Sequence, residues 1–126
     1  MFATQLEAYR KTQKAAMSGR EIEASVLTQA ALKLLNCQDS WGTDGHEKRL
    51  DEALKFNQLI WSIFQTELAK SENPLPKKLR EDLLSLSAFV DKRIFETIAY
   101  PASDKLTILV NINFNLAAGL RGSTGE

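Results

Sequence analysis

Residues 50–68 read LDEALKFNQLIWSIFQTEL. At 3.6 residues per turn, Leu50, Leu54, Trp61, Phe64 and Leu68 fall along one side of a helix. Phe56, Ile60 and Ile63 widen that side until the apolar arc covers about 220° of the circumference, more than a surface helix carries. Asp51, Lys55, Gln58, Ser62, Gln65 and Thr66 make up the narrow polar remainder. A helix so apolar must be covered by several others, so the stretch is expected to be the central element of an all-α fold.

The flanking segments supply the covers. Residues 3–17 carry a thin stripe of Phe2, Leu6, Tyr9, Ala16 and Met17, interrupted by Gln13, which suits a helix docked by one edge. Ser18-Gly19-Arg20-Glu21 forms a capping box for a second helix running to about Gln38. On it, Ile22, Val26, Ala30, Leu34 and Cys37 share one flank, with Leu27, Ala31 and Leu35 on the next. The small side chains of Ala24 and Ala31 leave room for close approach of a neighbour. DSWGTDGH (39–46) is a loop, its glycines and aspartates marking the break.

Beyond the central helix, SENPLP (71–76) is the second break, and Pro76 suits the first turn of a fourth helix ending before Pro101. Its expected core stripe is Leu79, Leu83, Leu86, Val90 and Ile94, widened by Leu84, Phe95 and Ile98. Ser103-Asp104 offers a cap for a last helix ending near Gly119. Within it, Val110 to Leu116 alternates with period two, a strand signal. A lone strand would have no partner in this chain, and Leu106, Leu109, Val110, Ala117 and Leu120 keep helical spacing, so helix is the expectation. The predicted architecture is a single compact bundle of about five helices over 1–121, with a flexible tail at 122–126.

Composition narrows the function classes. The chain has 126 residues, 44% of them apolar, and 16 basic side chains balance 16 acidic ones. Zero net charge argues against general electrostatic binding to nucleic acid or a membrane surface. No stretch approaches the roughly 20 apolar residues of a membrane span, and MFATQLEAYRKTQ lacks the apolar core of a secretory signal. The expected location is the cytoplasm. Cys37 and His46 are the only residues of their kinds. A nearby imidazole could activate the thiol, but Cys37 lies on an apolar flank, where cysteine acts as a small hydrophobe. Zinc needs more ligands than this pair. No phosphate loop or paired carboxylates can be placed, so neither enzyme activity nor a cofactor is expected.

Three polar or exposed features stand out. Asn57 lies in the middle of the central apolar arc, and Asp91 sits between Leu84, Ala88 and Phe95. Both need partners if buried, and Arg80 is a candidate for Asp91. Phe89 projects among polar residues, sharing a side with Lys78, Ser85 and Lys92 roughly opposite the core stripe. These four are the candidate partner-binding residues, unless the first helix folds over them and buries Phe89 within the monomer.

At MSGREIEA (17–24), LDEALKFNQLIWSIFQTEL (50–68), NPLPKKLREDLLSLSAFVDKRIFE (73–96) and NINFNLAAGL (111–120), the chain resembles the flagellar biosynthesis regulator FlaF family over nearly its full length. The resemblance implies a small, soluble, helical, non-enzymatic protein associated with flagellin synthesis and secretion, opposing the flagellin translation regulator FlbT. It implies an adaptor or chaperone whose direct partner is flagellin, and it supplies no catalytic residues. Flagellin termini are amphipathic helices, which suits a helix-in-groove mode. The competing expectation is regulation of flagellin messenger, directly or through FlbT. Direct RNA contact would need a basic patch with stacking aromatics, whereas Lys77, Lys78 and Arg80 are accompanied only by acids.

Overall fold

A computed structural model describes residues 19–125, with side chains through Gly122. Four α-helices follow one another: α1 (Gly19–Asp39), α2 (His46–Ala69), α3 (Lys77–Ala99) and α4 (Leu106–Gly125), with a 3₁₀ turn over Ser103–Lys105. There is no strand among the described residues. The helix expected over 3–17, and Ser18 of the capping box, lie outside them, so four of the five expected helices are described. The last runs past Gly119 to Gly125.

α1 buries two flanks and packs most extensively on α4, then on α2. Ala24, Ala30 and Ala31 are fully buried, and with so little side chain between the backbones the helices can approach closely. α2 stands between α1 and α3. α3 is attached almost wholly through α2 and touches α4 little.

The apolar arc expected of this helix is buried at Leu50, Leu54, Ile60, Trp61 and Leu68, while Phe56, Ile63 and Phe64 are half-buried. At its start, Gly42 and Gly45 take positive φ (82° and 78°). A Cβ on Gly45 would also meet the Arg49 guanidinium at 3.1 Å. That guanidinium closes the loop by donating to the carbonyl oxygens of Asp44 and Ser40 and to the Thr43 hydroxyl. At the other end, Asn73 donates to the Glu67 carbonyl and accepts from the Leu75 amide, turning the chain toward α3. Pro76 is the residue just before the first helical turn rather than within it.

The amide side chains of Asn57 and Asn113 are buried in the core, each residue 1% exposed. Asn57 donates to the Ala30 carbonyl of α1 (3.1 Å) and to the Ala53 carbonyl of its own helix (2.9 Å). Its oxygen accepts from Asn113 of α4 (2.7 Å), and the Asn113 oxygen accepts from the Trp61 indole (3.0 Å). The network joins three helices. Asn113 belongs to the segment with strand-like alternation, and its place here shows why helix prevails: helical spacing aligns it with Leu106, Leu109, Val110 and Ala117, all buried.

α3 departs from expectation. Its buried residues are Ser87, Val90, Ile94 and Thr97. Leu83 and Leu86 are half-buried, while Leu79, Phe95 and Ile98 are exposed. Ser87 and Thr97 fit the core because each hydroxyl donates to a carbonyl of its own helix, at Leu84 and Arg93 respectively, so burial strands no donor. Hydrophobicity alone therefore places the stripe a few tens of degrees off. Asp91 is paired, but with Gln65 of α2 (2.8 Å) and not Arg80. Arg80 donates instead to the Lys70 carbonyl.

Replacing Asn113 with Ala orphans the Trp61 N–H and one Asn57 acceptor. A loss of about 1–3 kcal/mol in urea unfolding is expected. Asn57→Ala should cost a similar amount, and the double variant less than the sum, since both break one network. Trp61→Ala, which also empties core volume, should cost about 3–5 kcal/mol.

Candidate partner-binding surface

The outer half of α3 carries all four sequence-nominated residues. Lys78, Ser85, Phe89 and Lys92 are exposed and recur at intervals of 7, 4 and 3 along the helix. Phe89 is 41% exposed. The Arg93 guanidinium lies 5.6 Å from its centroid, a cation–π contact that leaves the rest of the ring open. Lys78 pairs with Asp82 at 2.9 Å, so part of its charge is answered locally by a screened surface bridge.

Sequence reasoning missed how apolar this outer half is. Phe95 is 60% exposed and Ile98 45%, because the true core stripe turns them toward solvent. Among the described residues, seven large hydrophobics are exposed: Leu79, Phe89, Phe95, Ile98, Tyr100, Leu32 and Ile108. The first four lie on α3 and Tyr100 is its C-cap, so the exposure is concentrated on one element. Phe89 and Phe95 bracket Ser85, Ala88 and Lys92 on the outward arc.

A second feature had no signal in any single segment. Where α1 begins, α2 ends, α3 begins and α4 ends, an apolar cleft of about 130 Å³ opens among Leu27, Phe64, Leu75, Leu83, Leu116 and Leu120. A smaller depression among Ile22, Val26, Ile60 and Ile63 adjoins it, sharing Phe64, Glu23 and Glu67. The splay of α3 from α4 opens the cleft, and the Asn73 turn delivers Leu75 to its wall.

Cys37 and His46 do not share a site. His46 packs edge-on against Trp41, ring centroids 4.4 Å apart, and lines a depression between the α1–α2 loop and the end of α3. Cys37 is buried beneath another surface, beside Lys33, Arg49 and Glu52. Burial pushes its thiol pKa up, opposed by the nearby Arg49 and Lys33 charges. Among the described residues, no three His, Cys, Asp or Glu side chains converge to hold a metal, and no helix is long and apolar enough to cross a membrane.

What these features define is a small all-α bundle with a polar-locked core and an outer helix that leaves several apolar side chains exposed among its charges. The chain belongs to the FlaF family: the model for flagellar protein FlaF matches residues 5–120. No curated protein and no solved structure matches it.

A buried neutral thiol gives a definite pH signature. The raised pKa means that folding favours the protonated form. This contribution is fully present below the unfolded thiol pKa of about 8.5 and is lost as pH rises through the higher folded value. Stability of the wild type should therefore fall more steeply above pH 9 than that of Cys37→Ala, measured by urea unfolding across pH 7–10. At pH 8, Cys37 should react slowly with a thiol reagent until denaturant is added.

Proposed function

We propose that this chain is a flagellin-binding adaptor that acts in the cytoplasm to promote flagellin synthesis and secretion, and that it does so without catalysis. Two things support the reading: membership of the flagellar FlaF family, and the concentration of exposed apolar side chains on α3. The second carries it. An amphipathic flagellin helix lies against the outer half of α3, with Phe89 and Phe95 as anchors, Ser85 at the contact and Lys78 and Lys92 at the rim. Aromatic anchors inside a polar rim are where interface energy concentrates, and rim lysines act mainly on encounter rate.

Capture of purified flagellin by the immobilised chain, with and without nuclease treatment, tests this. Binding should survive removal of RNA. Phe89→Ala should weaken it roughly 30-fold, the equivalent of a single interface anchor, with the melting temperature unchanged. Replacing Lys78 and Lys92 with Gln should slow association at low salt, and the difference should fade at high salt. Failure to capture flagellin overturns the adaptor reading, and RNA-dependent capture would favour action on the messenger instead.

A further inference from the structure

We propose that the outer face of α3 is a self-association surface, on which α3 of a second copy of this chain packs antiparallel about a two-fold axis midway between Ser85 and Ala88. Lys78, Glu81, Ser85, Ala88, Lys92 and Phe95 are all exposed and follow one another at intervals of 3, 4, 3, 4 and 3. Their line runs opposite the buried Ser87, Val90, Ile94 and Thr97. Alternate steps of three and four are the spacing of a two-helix seam, here on the side of the helix turned away from the described bundle.

Two copies aligned head to tail make each pair along that seam complementary. Ser85 faces the partner's Ala88, and small side chains at the centre let the backbones approach closely. Glu81 faces the partner's Lys92, and the two-fold symmetry forms that ion pair twice. Among the described residues, neither Glu81 nor Lys92 is ion-paired within its own chain, so both bring an unanswered charge to the seam. Further out, the apolar stem of Lys78 lies over the partner's Phe95, which is 60% exposed in the monomer. The Lys78 ammonium can stay with Asp82, because only the stem is needed for this contact. Lys77 and Lys78 occupy the first turn of α3 with no acidic residue in that turn, where the helix dipole disfavours cations. Antiparallel pairing brings them beside the negative end of the partner helix. From Lys78 to Phe95 the seam is about 26 Å long, a contact at the small end for protein interfaces, so the dimer is reversible. The pairing stands independently of the flagellin reading, although a client helix bound on the same face would compete with the second copy.

Sedimentation equilibrium of the full-length chain, without flagellin, tests this. The wild type should pass from monomer to dimer as its concentration rises. Glu81→Lys and Lys92→Glu each set like charges against one another twice, and each should raise the dissociation constant roughly tenfold or more. Their circular dichroism melts in dilute solution should be little changed. The double variant Glu81→Lys/Lys92→Glu should dimerise like the wild type, and an equimolar mixture of the two single variants should form a heterodimer. Ala88→Gln, which crowds the centre of the seam without adding a charge, should also weaken the dimer roughly tenfold. A wild type that stays monomeric up to about 1 mM would overturn the proposal. So would single variants that dimerise like the wild type, the result expected of a parallel pair or of another surface. A double variant as weak as either single one would overturn it as well.

Discussion

The hydrogen bonds among Asn57, Asn113 and Trp61 constrain the rest of the bundle. Helices with broad apolar faces can slide or rotate against one another at small energetic cost, since hydrophobic contact has no direction. Two buried amides remove that freedom. Asn57 reaches the Ala30 carbonyl of α1 and the Asn113 amide of α4, so a shift of either helix by one turn would strand donors in an apolar core. The Trp61 indole completes the set, and its ring stacks edge-on against Phe64 at 6.0 Å. In a low-dielectric interior such a network favours a single register, because partial satisfaction is worse than none.

α3 stands outside this arrangement. It has no member in the network and is held mainly by α2, through a narrow stripe of Val90 and Ile94 with Ser87 and Thr97, and by the Gln65–Asp91 bond. A helix held on one side leaves much of its circumference to solvent. In α3 that circumference carries Phe89, Phe95 and Ile98, apolar groups left 41%, 60% and 45% exposed. The same one-sided attachment separates its start from the end of α4 and opens the cleft. The division of labour is physical: α1, α2 and α4 form the locked core, and α3 presents surface.

Much of this was legible in the sequence. The wide arc of residues 50–68 required a central helix, the turn residues marked both long breaks, and Asn57 announced itself as a buried polar group needing partners. Phe89 stood out because it shares its side of the helix with Asp82, Ser85 and Lys92. The errors have a common origin. Placing Phe95 and Ile98 in the core and overlooking Ser87 and Thr97 both followed from ranking side chains by hydrophobicity, whereas a serine or threonine that bonds its own helix backbone is neutral enough to bury. Pairing Asp91 with Arg80 failed because eleven residues along one helix put them about 16 Å apart, and the partner came from α2 instead.

By itself, then, the sequence determined the four described helices, the breaks between them and the family to which the chain belongs, since these depend on local periodicity, turn chemistry and motif order, though not where the last helix ends. Tertiary structure alone decided that Asn113 would answer Asn57 across 56 positions, that α3 would turn Phe95 outward along with Phe89, and that four helix ends would leave an apolar cleft between them. Each of these depends on the relative rotation and splay of helices. Those are set by packing between segments distant in the chain, where no local pattern records them.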